Sequence, residues 1–174
     1  MNEFMDYIPP DWDEWFMRQV YLISTKSKDP SSKIGSVIVN NNQIVKIGYN
    51  GFPVKINDSI KERYERPLKY SFTSHSEANA ITFAAKDGVK TDGCVLYTNG
   101  QCCIECTKLV IQSGIKRVVY HKQFEDKWNE LYRDQWKGHK EISTILFKES
   151  GVILQPLDKI LNVNAYIDGK IINV

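Results

Sequence analysis

The chain has 174 residues, 42% of them hydrophobic and 25% charged, with 23 Lys+Arg against 21 Asp+Glu for a formal net charge of +2. This is the size and make-up of one ordinary globular domain, and it excludes collagen, coiled coil and intrinsic disorder. The near balance of charge also excludes a general basic coat for nucleic acid, and no apolar run approaches the ~20 residues of a membrane span.

Residues 1–10 are acidic and interrupted by Pro9-Pro10, which does not fit a signal peptide. A cytoplasmic protein in a reducing compartment is expected. Residues 11–27 carry Trp12, Trp15, Phe16, Val20, Leu22 and Ile23 at helical spacing behind Asp11 as N-cap, and Asp29-Pro30 ends that helix. Residues 34–39 and 43–49 are β-prone runs joined by Asn40-Asn41-Asn42, a hairpin signal. The polar stretch 50–73, with Pro53 and Pro67, reads as a long loop with room for one helical turn, and such loops are often functional.

A helix is predicted over 75–87, stopped by Gly88, then a strand over 94–98 and a helix over 103–113 stopped by Gly114. A strand follows at 116–120, and one or two amphipathic helices at 125–150, with Gly138 as a break and Gly151 as C-cap. A short strand at 152–154 and a hairpin turn at Asp168-Gly169 close the chain. Strands alternating with helices predict an α/β layered sheet in a single domain over 1–174, its core at about 12–155 and a tail at about 156–174.

The chemistry concentrates in two places, His75-Ser76-Glu77 and Cys102-Cys103-Ile104-Glu105-Cys106, each at the start of a predicted helix. The four cysteines, Cys94, Cys102, Cys103 and Cys106, crowd into one stretch, whereas a disulfide framework would spread them; clustering points to metal or catalysis. Cys103 and Cys106 stand one helical turn apart on one face and can share a metal ion. A histidine from another helix start makes three protein ligands, the pattern of a catalytic zinc that keeps one position open for water. Glu77, two residues after His75, is placed to face that position as a proton carrier. A lone Cys-x-x-Cys is as often a structural half-site or a redox pair, and a lone His-x-Glu means little. Together, in this order and 28 positions apart, they equip a chain for hydrolytic deamination of an aromatic amidine.

From about Trp12 to Gly151 the chain resembles the deoxycytidylate (dCMP) deaminase family of the cytidine deaminase-like fold. Four segments carry the likeness: residues 27–35 (SKDPSSKIG), 48–53 (GYNGFP), 75–81 (HSEANAI) and 103–106 (CIEC), followed by 111–120 (IQSGIKRVVY). The resemblance implies a three-layer α/β/α fold around a mixed sheet of about five strands. It implies zinc-dependent hydrolysis of dCMP to dUMP and ammonia, supplying dUMP for thymidylate synthesis. One catalytic zinc per chain would sit on His75, Cys103 and Cys106, with Glu77 carrying protons. Asn50 would contact the sugar, the Ser76 amide would lie beside the base carbonyl, and Tyr120 would touch the base. Lys26, Lys28 and Lys33, interleaved with Ser31 and Ser32, suit one phosphate. Asp58, Arg63 and Arg66 lie where relatives bind a regulatory dCTP or dTTP. Trp12, Trp15, Tyr64 and Tyr70 suit subunit contacts in a hexamer or dimer. His121 and His139 read as ordinary hydrogen-bonded or surface histidines, and Cys94 as a buried strand cysteine.

Three features depart from the family pattern. Cys102 stands where proline usually precedes the first ligand cysteine, which relaxes the start of the helix and offers Cys102 with Cys106 as an alternative ligand pair. Ser76 replaces alanine, adding a hydroxyl beside the base. Asn99-Gly100-Gln101 replaces a threonine-rich approach to the cysteines. Alternative readings are a deaminase of another cytosine nucleotide or nucleoside, one acting on a base in nucleic acid, and a non-catalytic zinc-binding relative.

Overall fold

The protein is seen in a computed structural model that describes residues 8–132 and 137–174. Helix α1 spans Trp12–Ser24, opened by Asp11, whose side chain accepts from the Glu14 amide at 2.9 Å. It ends before Asp29-Pro30 because Ser24 and Thr25 turn their hydroxyls back onto the carbonyls of Tyr21 and Leu22. Strands β1 (Gly35–Asn40) and β2 (Gln43–Tyr49) pair antiparallel through a tight turn in which Asn41 and Asn42 adopt φ of 48° and 60°. Asparagine tolerates that left-handed backbone, so the triple-Asn hairpin signal holds.

The long polar stretch contains a 3-10 turn at Lys61–Tyr64 and a short helix α2 at Lys69–Phe72. Phe52 holds both, stacking on Tyr64 at 4.6 Å and tilting against Phe72 at 5.6 Å. Then come α3 (Ser76–Lys86), β3 (Val95–Thr98), α4 (Ile104–Gln112), β4 (Arg117–His121), α5 (Lys122–Leu131), α6 (Lys137–Ser150) and β5 (Ile153–Leu157). Gly138 falls in the first turn of α6 rather than at a break; residues 133–136 lie outside the described ones. Strands β6 (Asn164–Ile167) and β7 (Lys170–Asn173) form the terminal hairpin around Asp168-Gly169.

The main sheet has the order β2-β1-β3-β4-β5, antiparallel at β2-β1-β3 and parallel at β3-β4-β5. It is the mixed five-stranded sheet expected. Alternation along its strands divides the core in two. Val37, Val39, Tyr97 and Val119 face α1, α5 and the C-terminal segment, packing on Phe16, Val20, Phe124 and Leu161. Ile38, Leu96 and Val118 face the other way, onto Ala80 and Ala84 of α3, Cys106 and Val110 of α4 and Phe147 of α6. Both faces are therefore covered by helices, giving three layers.

The C-terminal stretch is packed rather than trailing. Leu157, Leu161, Ala165, Ile167 and Val174 are buried. The hairpin also docks on the chain before β1: Lys33 donates its amide to Tyr166 and Gly169 donates to the Ser31 carbonyl at 2.7 Å. Among the described residues no helix is long and apolar enough to cross a membrane.

Candidate active site

Two helices start side by side on one face of the sheet. α3 can press its first turn onto β2 because residue 48 is glycine; a Cβ there would lie 2.2 Å from the Ser76 carbonyl oxygen and 2.6 Å from the Ala80 nitrogen. His75 caps α3 and Cys103 caps α4, both with extended backbone, and Cys106 follows one turn into α4. Helix starts therefore present all three side chains to the same point. His75 Nδ1 lies 3.4 Å from Cys103 Sγ and 3.5 Å from Cys106 Sγ, and the three donor atoms sit within 4.8 Å of one another.

This cluster is the one group of potential metal ligands among the described residues. An imidazole and two thiolates are the soft and borderline donors that zinc takes, and three of them leave a fourth position open. The residues present fit the ion. Cys102, weighed as an alternative ligand, is fully buried in the core beneath α3 and α4 and stands outside the ligand cluster. The electrostatics favour a thiolate: hydrogen bonding from Cys106, and from His75, holds Cys103 far below the usual thiol range, to about 3. The same contact with Cys103, reinforced by burial, pushes Cys106 up. His75 is raised to about 9 by its hydrogen bond with Cys103. His75 is exposed and lines the cleft.

Glu77 sits on the first turn of α3 and is only 6% exposed. Desolvation raises its pKa, so burial favours the protonated form through which a proton carrier passes. Ser76 Oγ donates to Glu77 Oε2 at 3.0 Å and pairs with Ser36 Oγ at 2.7 Å. Ser76 borders the cleft, and its buried hydroxyl is taken up by these two contacts.

Above this floor lies a cleft of about 1000 Å³, its open mouth included. At one end the segment from Asp29 to Ile34 is folded around two buried side chains. Asp29 accepts from the Ser31 and Ser32 amides and from Lys69 Nζ at 2.8 Å. Asn50 donates Nδ2 to the Ser32 carbonyl at 2.9 Å and accepts from the Ile34 amide at 2.9 Å. Arg66 reaches over from the long loop, donating to Ser31 Oγ and to Tyr132 Oη, each at 3.3 Å. The far wall is α5 and α6. Phe124, Trp128 and Tyr132 form an aromatic row at four-residue spacing, with ring centroids 5.8 and 4.8 Å apart. Lys140 pairs with Glu125 at the top of this wall. Gln101 ties it down, its amide donating to Glu125 Oε2 and its side chain to the Lys140 carbonyl and Thr144 Oγ1.

Several residues picked from sequence stand elsewhere. Lys28 pairs with Asp58 at 2.7 Å, Lys33 turns onto the Ser27 carbonyl and the Tyr166 ring, and Lys26 is exposed; none of the three lines the cleft. The cations that do line it on that side are Arg66 and Lys69. Tyr120 lines a separate shallow depression with Lys122, Asp126 and Asn129. Of the residues read as a regulatory site, Asp58 pairs with Lys28, Arg63 lies over the Phe72 ring and donates to the Asn57 carbonyl, and Arg66 turns into the cleft. His121 is buried, its Nδ1 paired with Tyr21 Oη at 2.7 Å and its Nε2 with the Lys159 carbonyl at 2.8 Å, whereas exposed His139 borders the cleft. Asn99 has a structural purpose, accepting the Gly35 amide at 2.7 Å and so pinning the start of β1. Sequence reading missed the aromatic wall, although the four-residue spacing of Phe124, Trp128 and Tyr132 was there to be read.

Comparison with known proteins agrees with this geometry. Residues 10–122 match the family described as the cytidine and deoxycytidylate deaminase zinc-binding region. The chain is 40% identical over 153 residues to a human deoxycytidylate deaminase, covering 84% of this chain and 79% of that one. It is 36% identical over 149 residues to an uncharacterised deaminase from Aliivibrio fischeri, with 84% and 95% covered. A crystal structure of dCMP deaminase from the cyanophage S-TIM5, in complex with dCMP and dUMP, superposes with a TM-score of 0.67 at 25% identity, covering 87% of this chain and 100% of that one. With its zinc-ligand geometry, its buried glutamate and its three layers in agreement, the chain belongs to the cytidine and deoxycytidylate deaminase family.

Proposed function

We propose that the protein is a hydrolase that converts dCMP to dUMP and ammonia with one zinc ion per chain. The observation that carries this reading is the triangle of His75, Cys103 and Cys106 beside buried Glu77, at the floor of a cleft whose far end presents Arg66. His75 Nδ1 and the two cysteine sulfurs would hold the ion. When bound, zinc acts as a Lewis acid that makes water a competent nucleophile at neutral pH.

Glu77 supplies the proton traffic. It takes a proton from the attacking water, delivers it to N3 of the cytosine ring, and carries a second proton, from the hydroxyl then on C4, to the amino group. The C4–O bond forms, the C4–N bond breaks, the hydroxyl oxygen becomes the new carbonyl and ammonia leaves. Burial raises the Glu77 pKa and so favours the protonated carrier more than solvent exposure would. The aromatic wall and the buried floor keep bulk water from the ring.

The remaining contacts follow the length of the cleft. The Ser76 amide, at the start of α3, faces the base carbonyl. Asn50, buried at the junction of β2 and the long loop, borders the sugar. The phosphate lies at the Arg66 end, where a guanidinium, the Ser31 hydroxyl and the Tyr132 hydroxyl converge. This assignment replaces Lys26, Lys28 and Lys33.

The test is ammonia release from zinc-loaded protein given dCMP, with deoxycytidine, CMP and dCTP alongside, and with zinc measured per chain. Turnover of dCMP well above deoxycytidine, lost in Glu77→Gln with its zinc retained, is the expected result. No turnover of any of the four by protein holding one zinc would overturn the reading.

A further inference from the structure

One departure from the family pattern, Ser76, sits directly against the Glu77 carboxylate. Ser36, in the middle of the sheet on β1, places its hydroxyl 2.7 Å from Ser76 Oγ, and Ser76 in turn donates to Glu77 Oε2 at 3.0 Å. Because the Ser76 proton is spent on the carboxylate, Ser36 must be the donor to Ser76, and the chain has one direction: Ser36 to Ser76 to Glu77. Ser36 and Ser76 are both fully buried, so no water competes for these contacts.

We infer that Ser36 and Ser76 are positioning residues that hold the Glu77 carboxylate in its proton-carrying orientation. A glutamate side chain has three rotatable bonds, and a carboxylate that shuttles protons must be held within a fraction of an ångström of its working place. Alanine at position 76 offers no side-chain donor, so a chain with that residue must orient its glutamate without this hydroxyl. Here a hydroxyl relay anchored on the central sheet supplies the hold. Ser36 is the informative member, because it touches neither Glu77 nor the cleft and acts only through Ser76.

The inference rests on the deaminase reading for its kinetic consequences and on geometry for its structural one, so the experiment has two readouts. Ser36→Ala, Ser76→Ala and the double variant are compared with the unaltered protein, all zinc-loaded and checked for metal content and melting temperature. Ser76→Ala is expected to lower kcat for dCMP about tenfold with KM within about twofold, the loss of one charge-assisted hydrogen bond in the transition state. Ser36→Ala is expected to lower kcat less, and to have no further effect once Ser76 is alanine. Crystals of Ser76→Ala should show the Glu77 carboxylate in a new or second conformer.

Unchanged kcat in Ser76→Ala, a loss confined to KM, or multiplying losses in the Ser36/Ser76 double variant would each overturn the relay. If Ser36→Ala loses its fold, Ser36→Cys, similar in shape and a weaker donor, takes its place in the cycle. If dCMP is not turned over at all, the deaminase reading fails alone, and an unmoved Glu77 in the Ser76→Ala crystals overturns the relay separately.

Discussion

The floor of the cleft and its far end are built in opposite ways. The floor takes every chemical group from two short segments, each contributing a helix cap and the turn behind it, and the fold has only to bring two helix starts together. The far end takes Ser31 from the segment before β1, Arg66 from the long loop, Tyr132 from the end of α5, and Asp168 from the terminal hairpin, where Tyr132 Oη donates to Asp168 Oδ1 at 2.8 Å. The floor is preformed by local geometry, and the far end exists only when four distant pieces of chain are docked. On the proposed reading their functions differ too: the reaction itself depends on the first, and preference for an anionic substrate on the second.

The sharpest way to separate the two is to remove the proton carrier alone. Glu77→Gln keeps the shape of the floor and should lower kcat about a thousandfold while zinc content and KM for dCMP change little, measured by ammonia release and metal analysis. Next in size is a strike at the packing under the floor. Gly48→Ala puts a methyl carbon within van der Waals overlap of the α3 backbone and should cost about 3 kcal/mol of stability, with weaker zinc retention under a chelator, read by denaturant unfolding.

At the far end, Arg66→Ala should raise KM for dCMP about 30-fold, leave kcat within a few-fold and leave any reaction with deoxycytidine unchanged, whereas Lys28→Ala should do none of this. Equal losses on dCMP and deoxycytidine would place the phosphate elsewhere. Asp168→Gly removes the brace on Tyr132 at a left-handed position (φ 51°) that glycine tolerates, and a rise in KM of about threefold is expected from kinetics on the same pair of substrates.

The smallest effect concerns a group outside both regions. Burial lowers the His121 pKa, and its two ring nitrogens are satisfied by Tyr21 and the Lys159 carbonyl with the ring neutral. As pH falls through the ordinary histidine value of 6.5 the unfolded chain takes up a proton that the folded one refuses, so stability drops. His121→Gln should flatten that part of the melting temperature's pH dependence, without altering the zinc site.

How far the sequence could be read follows from the same contrast. Asp11, Asn41-Asn42, Gly88, Gly114 and Gly151 mark element ends by their own backbone chemistry, and the elements they bound are found within a few residues. Cys103 and Cys106 could be recognised as a pair because helical geometry alone sets a spacing of three on one face. The phosphate lysines could not be judged in that way. Lys28 looks available in sequence, but only the fold brings Asp58, 30 positions on, to its ammonium group. Arg66, read as part of a regulatory site, is turned into the cleft by the path of a loop whose course no local signal announces.

By itself, then, the amino-acid order determined whatever is decided within a turn or two of chain: which segments become strands and helices, the layered α/β sheet their alternation implies, and the candidate ligand set with its neighbouring glutamate. Only the tertiary structure decided which cations line the cleft, that Tyr120 is not among the residues lining it, that the C-terminal hairpin braces it, and that Ser36 and Ser76 lead to Glu77. The physical reason is range. Helix capping, turn conformation and side-chain periodicity act between neighbours, whereas an ion pair or a buried hydrogen bond between distant residues depends on how whole layers pack, which the spacing of letters does not encode.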